Sequence, residues 1–287
     1  MRRILCMGIV LLIMCLSGCS SDNVGNSVER TEEMSGLEIS HTNMNGELTE
    51  QQLQILQDCG LSDSQIQEIQ EKGMTASQKS FVDVAELVLG RLREKYGVIF
   101  SIVGGSIPDL LASDYTFTAC AVEGEYAFIP FEATYGADAE GKAVCREGYF
   151  AVIKNQEMQE YLQSIADEEG IEIRVITQLL GEVGDTYTKD SSLEDMKGKD
   201  TGIEVEIYGL VIAEVDEAGF MDMCERLAAR YKDTGYRMGY DIYRLLDREE
   251  SSGINTYADL KRIYPQGMCE GEVYDIRYHE YIIPMVE

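Results

Sequence analysis

The chain has 287 residues and carries 52 Asp and Glu against 24 Lys and Arg, a formal charge of −28 at neutral pH. Contact with phosphate needs clustered basic side chains, so this balance argues against nucleic acid and against electrostatic attachment to anionic lipid. It admits a cationic ligand or partner, and it also serves solubility at a crowded surface.

The chain opens as an export signal. Arg2 and Arg3 precede a 13-residue apolar run from Ile4 to Leu16, interrupted only by Gly8. A permanent membrane helix needs about 20 residues, so the run is too short to span. It exits through Leu16-Ser17-Gly18-Cys19, which resembles the lipobox of bacterial lipoproteins. The resemblance implies that residues 1–18 are a signal peptide cut before Cys19 and that the Cys19 thiol carries a diacylglyceryl group with palmitate-like chains. The mature protein is then expected on the extracytoplasmic face of the cell membrane. A single acyl chain, at about 0.8 kcal/mol per buried methylene, holds marginally, whereas two or three on one cysteine hold firmly. Losing two arginines with the signal leaves 22 basic against 52 acidic residues, a charge of −30. Residues 19–47 are the lipidated cysteine and a polar tether. The 28 residues after Cys19 reach roughly 30 Å as a flexible coil.

Ordered structure is expected from residue 48. Thr49, Ser62 and Thr75 each stand three residues before a glutamine, the capping-box pattern, and predict three helix starts. Gly60, Gly73 and Gly97 mark the exits. In the third helix Phe81, Val84, Ala85, Val88, Leu92 and Tyr96 recur at helical spacing. The period then changes to that of strands: 98–103, 115–121, 126–133 and the aromatic run 148–153, followed by a helix from Asn155 and a strand over 171–176. Residues 181–202 are polar and read as a linker or long surface loop. A strand over 203–215, a helix capped by Asp216, a strand over 236–246, a short helix over 256–264 and a last strand over 272–285 complete the chain. Strand–helix–strand recurs at 148–176 and 203–243, which suggests two related halves.

The helix ending in Lys95-Tyr96-Gly97, the hairpin after it, and the aromatic strand 148–153 leading into a helix together resemble uncharacterised surface lipoproteins of clostridia (Firmicutes) over residues 77–177. The resemblance implies a tethered α+β domain and a habitat; it implies no activity.

Chemistry is sparse. Of eight cysteines, five (Cys59, Cys120, Cys145, Cys224 and Cys269) follow Cys19, without CxxC or His–Cys spacing, so neither zinc nor a redox pair is indicated. Most read as small buried apolar residues, with a Cys120–Cys145 bridge as the candidate disulfide. His41 lies in the tether, and His279 lies on a strand beside Glu280, read as solvated. The acidic stretches lack a calcium-loop pattern, and the Gly104-Gly105 pair continues into no phosphate cradle, so no metal and no cofactor are expected.

These readings converge on an α+β fold: an N-terminal helical segment, then a mainly antiparallel sheet with packed helices. Its units are expected at 48–180 and 203–287, joined by 181–202. The expected function is a membrane-anchored, non-catalytic binding or interaction module that meets an envelope protein or cationic ligand. Tyr236, Tyr240, Tyr243, Tyr274 and Tyr278 are its candidate surface, because tyrosine is apolar along the ring and polar at the tip. The alternative is an envelope hydrolase of peptidoglycan or polysaccharide working through paired carboxylates; sequence alone selects no catalytic residue.

Overall fold

The computed structural model describes residues 48–108, 113–197, 202–211, 214–245, 253–265 and 274–282, with 274–276 and 281–282 as backbone. Cys19, His41 and Cys269 lie outside the described residues.

Three helices lead in: α1 (Glu50–Asp58), α2 (Asp63–Lys72) and α3 (Ala76–Tyr96). Each starts at the expected capping box, with the Thr49, Ser62 or Thr75 hydroxyl accepting from the glutamine backbone N–H and that glutamine bonding back. Such a reciprocal pair satisfies two of the donors a helix start leaves open. Gly97 closes α3 in the left-handed region at φ 72°, where a side chain would be strained.

The first sheet follows as a meander, β1 (Phe100–Ser106), β2 (Tyr115–Ala121), β3 (Phe131–Ala137) and β4 (Ala143–Glu147), antiparallel throughout and in chain order. Phe100, Ile102, Phe117, Ala119, Phe131 and Ala133 bury against α3, whose Val82, Ala85, Val88 and Leu92 face them. The opposite face alternates to Thr118 and Glu132, which are exposed. This is the period-two pattern of a sheet covered on one side.

Next come α4 (Tyr149–Glu168) and the second sheet, β5 (Ile173–Gly181), β6 (Ile203–Val211), β7 (Met238–Leu245) and β8 (Tyr274–Ile282), again in chain order. Here α5 (Glu217–Lys232) crosses between β6 and β7 and makes that pair parallel; the other two pairs are antiparallel. Two helices, α4 and α5, cover one face through Met158, Leu162, Phe220, Cys224, Leu227 and Tyr231. The other face carries α6 (Tyr257–Ile263) over a smaller cluster of Ile176, Leu210, Tyr243, Leu260 and Tyr264. The fold is α+β, with N-terminal helices and two sheets, one antiparallel and one mixed, packed against helices.

Residues 148–153 correct the expectation. They are the start of α4 and not a strand; the fourth strand lies just upstream, at 143–147. The cause is Glu147, whose Oε2 accepts from the Phe150 backbone N–H at 3.1 Å and caps the helix from outside it. Tyr149, Phe150 and Ala151 are all buried, so this turn shows no polar face by which a helix could be told from a strand. The strand–helix–strand order of the first half is kept as β4–α4–β5, with its first strand at 143–147 and its two strands in different sheets, whereas β6 and β7 around α5 pair in one. What the halves share is a long helix followed by four strands in sequential order. Strand β5 pairs with the second sheet, and the polar stretch after it includes a single helical turn at Leu193–Met196 that buries both its end residues.

Glu147 also joins the two sheets. Its carboxylate, on a residue 2 % exposed, accepts from Lys95 Nζ at 2.6 Å and from the Tyr96 hydroxyl at 2.5 Å, both at the end of α3. Its backbone pairs in both directions with Val183, just past β5, and Lys95 Nζ also donates to the Gly184 carbonyl at 2.9 Å. Burial pushes the carboxyl above its usual range despite the opposing pull of Lys95, Tyr96 and the Phe150 N–H. Removing one partner of such a pair leaves a buried charge uncompensated. Lys95→Met should therefore lower unfolding stability by about 3 kcal/mol, read from the urea midpoint near neutral pH. A carboxyl with a raised folded pKa favours the folded state most at low pH, and that contribution is lost as pH rises through the folded pKa. The variant's deficit should accordingly be smaller at acid pH than at alkaline pH, and a deficit independent of pH would contradict this assignment.

Candidate functional site

The five candidate tyrosines do not form one surface. Tyr236, Tyr240 and Tyr243 are 3 %, 1 % and 4 % exposed, so they belong to the core. Tyr240 and the half-buried Tyr278 point to the α4–α5 face, where their hydroxyls both donate to Glu280 Oε2 at 2.8 Å. Burial raises both phenols, and the same two bonds hold the Glu280 carboxyl below its usual range. Tyr236 packs edge-on to Tyr161, with the Lys197 ammonium 5.5 Å from its ring. Tyr243 points the other way, toward α6. The side chain of Tyr274 lies outside the described residues. These strands alternate as expected, but both faces of their sheet are covered, so alternation separates two cores rather than core from solvent.

The Cys120–Cys145 bridge is also corrected. Both residues are thiols, on β2 and β4, with β3 between them. Two strand spacings come to roughly 9–10 Å, beyond the ~7 Å limit for bridged Cα atoms. Burial pushes the Cys59, Cys145 and Cys224 thiols up to about 12, which makes them poor nucleophiles.

A different site forms where α6 meets the second sheet. Tyr208 from β6, Asp241 and Tyr243 from β7 and Arg277 from β8 make a floor; Tyr257, Leu260, Lys261 and Tyr264, on α6 or at its end, make a wall. They line an open cleft of about 250 Å³. The floor follows from register. Tyr208 pairs with Asp241 across β6–β7, and Asp241 with His279 and Tyr243 with Arg277 across β7–β8, so their side chains share one face. The wall follows from helical spacing, since residues 257, 260, 261 and 264 fall on one side.

Asp241 organises the floor. Its Oδ1 accepts from Arg277 Nε at 3.2 Å, from an Arg277 terminal nitrogen at 2.7 Å and lies 2.6 Å from His279 Nδ1. Its Oδ2 accepts from the Tyr243 hydroxyl at 3.1 Å. Burial alone would raise this carboxyl, but the Arg277 and His279 hydrogen bonds outweigh it and hold it below the usual range. Arg277 lies over the Tyr243 ring at 5.4 Å, Lys261 over the Tyr257 ring at 5.5 Å, and the Tyr208 and Tyr257 rings stand 5.2 Å apart. On the same face Glu206 is shifted in the opposite sense: burial raises it, with Glu204 and Asp241 adding repulsion and His279 opposing. His279, read from sequence as solvated, is exposed yet tied to Asp241. Among the described residues no group of three or more His, Cys, Asp or Glu is placed to hold a metal, and no helix is long and apolar enough to cross a membrane.

Because its folded pKa is depressed, Asp241 contributes stability above the ordinary carboxylate range, and this is lost as pH falls through its folded pKa. Asp241→Asn should cost about 2 kcal/mol at neutral pH, the scale of a hydrogen bond to a charged group. The gap from wild type should close on acidification below about pH 4. Parallel urea unfolding curves across that range would check it, and a gap that widens in acid would exclude the assignment.

No family model and no curated protein matches the chain. Among solved structures, a distant likeness is found to a crystal structure of a DUF5037 family protein from Ruminococcus gnavus ATCC 29149. It has 14 % identity and a TM-score of 0.33, and covers 66 % of this chain and 83 % of that one.

Proposed function

We propose that the protein is a lipid-anchored, extracytoplasmic binding module, held at Cys19, whose α6 pocket receives a small ligand or exposed group of the cell envelope. The observation that carries the reading is the tyrosine-walled cleft with a charged floor already satisfied by its own hydrogen bonds. A pocket of aromatic rings with a few convergent polar groups is what small-ligand recognition uses. Asp241 accepts from three side chains, which suits it to hold a surface rigid and leaves it little freedom to act on a substrate. The anchor supplies membrane attachment, and the tether supplies reach.

A hydrolase is favoured by one observation, the opposed shifts of Glu206 and Asp241 on a shared face. Environments that push two carboxyls apart are how an acid and a base are assigned within one site. Glu206, however, does not line the cleft.

Cys19→Ala should move the protein from the membrane fraction to the soluble fraction; unchanged partition would overturn the anchor. In co-sedimentation with isolated cell-envelope fragments, Tyr257→Ala should reduce retention of the full chain about fivefold or more, the scale of one lost aromatic contact at ~1 kcal/mol. Glu206→Gln should leave retention unchanged. Release of soluble fragments by the wild type and not by Glu206→Gln would instead establish the hydrolase.

A further inference from the structure

We infer that the loop 122–129, at one end of the first sheet, is a docking surface for a protein segment whose apolar side chains are flanked by lysine or arginine. The inference is independent of the α6 cleft, which is built on the second sheet.

Six large apolar side chains are exposed among the described residues, and four of them, Ile99, Val122, Phe128 and Ile129, gather here. Backbone bonds bring their segments together. The Val122 N–H donates to the Ile99 carbonyl at 3.0 Å, and the Phe128 N–H to the Ala121 carbonyl at 2.8 Å. An isolated exposed apolar residue needs no explanation, whereas a cluster with a polar rim marks an interaction site. Phe128 is 73 % exposed, and among the described residues it is the one non-glycine residue with positive φ, at 63°. Glycine takes this conformation freely and phenylalanine at a cost, and here the ring gains little burial in return. Strain of this kind persists where the surroundings hold it and function uses it. The hold comes from both sides: Ala127 bridges Ala121 before the strained residue, and Pro130, which biases Ile129 to extended backbone, leads into the buried Phe131 after it. An aromatic ring displayed on a fixed loop lowers the ordering cost of association.

Charge selects the occupant. Glu123 Oε1 accepts from the Ile99 N–H at 3.2 Å, which sets a carboxylate beside the apolar group, and Glu125 is exposed on the same turn. Residues 97–101 and 121–131 contain these two acids and no lysine or arginine. Burial raises the Tyr126 phenol, with Glu125 and, from α4, Glu157 and Glu160 adding repulsion; Lys154 answers Glu157 at 2.9 Å. The surface is thus apolar at its centre and negative at its rim. A second copy of the chain would bring the same acids to the contact. The tether, residues 20–47, holds six acids against one arginine, and an anionic lipid surface is negative as well. All three meet like charge. A segment with an apolar centre and basic flanks complements both parts of the surface.

The test is fluorescence anisotropy of a labelled amphipathic peptide of leucine and lysine, titrated with the full chain carrying Cys19→Ala so that lipid plays no part. Phe128→Ser should weaken binding about tenfold, the loss of one aromatic anchor. Glu123→Gln combined with Glu125→Gln should weaken it about threefold and flatten its salt dependence. A leucine–glutamate peptide should not bind. Phe128→Gly relieves the left-handed strain, so it should lose binding as Phe128→Ser does while its thermal midpoint at least matches the parent chain. Absence of peptide binding overturns the inference, and so does binding that survives Phe128→Ser, which would be attraction to net charge alone. A Phe128→Gly midpoint below the parent's overturns it too, by making the ring a structural element. Three further results would replace the partner segment with another occupant and equally overturn the inference. Oligomers that Phe128→Ser dissociates would name a second copy. Co-sedimentation with phosphatidylcholine vesicles that Phe128→Ser abolishes would name a lipid surface. Amide exchange over residues 20–47 that Phe128→Ser accelerates would name the tether.

Discussion

The structure turns on one buried carboxylate. Glu147 closes β4, caps α4, accepts from the last two residues of α3 and pairs its backbone beyond β5. Taking a carboxylate out of water costs several kcal/mol, and the cost is recovered only when every lone pair finds a well-placed partner. Here the carboxylate's partners come from α3 and α4 while its backbone pairs beyond β5, so the cost is met only when α3 and α4 meet at the end of β4. A hydrophobic residue at 147 could fill the space, but it could not recruit Lys95, Tyr96 and the Phe150 N–H to one point. The ion pair thus specifies which elements meet, and the apolar core around it supplies most of the energy of their meeting.

That junction fixes α4, and α4 fixes the second sheet. Its Asn155, Gln159 and Gln163, one helical turn apart, accept from the backbone N–H groups of Leu179, Thr177 and Val175 through their side-chain amides. This ladder pins β5 on the helix side by polar contacts that a purely apolar interface would lack. With β5 placed, β6 and β7 follow by register, and the α6 pocket is built on the face left over. The α6 cleft therefore lies on the side of the sheet opposite the junction, supported by it without sharing residues.

What the sequence revealed divides along the range of the forces involved. The three capping boxes were legible because a hydroxyl and a glutamine three residues on settle the matter locally. The α6 wall was half legible: Tyr257, Leu260, Lys261 and Tyr264 form a stripe at helical spacing, a signal that could have drawn attention to this short helix. The start of α4 was misleading because its cap is a side chain outside the helix and its first turn is apolar all round. The tyrosine strands misled for a related reason. Period-two alternation tells which residues share a face, but a sheet covered on both sides has no solvent face to identify. The Asp241 cluster was invisible, since Arg277 and His279 reach it only through β7–β8 register, across 36 and 38 residues of chain.

The global charge deserves the same distinction between local and remote. Summed over the chain, the excess of acid suggests a cationic partner, and among the described residues most of the acids are exposed, where salt screens them within about a Debye length. A small ligand inside a cleft does not meet the sum. It meets the groups that line the wall, where dielectric is lower and each charge acts at close range. In the α6 pocket those groups are four phenols, Leu260, the Asp241 carboxylate with its Arg277 partner, and the Lys261 ammonium on α6 itself. The acidic exterior and the α6 cleft are therefore separate electrostatic environments, and under the proposed function a ligand in the cleft answers to the second and not to the first.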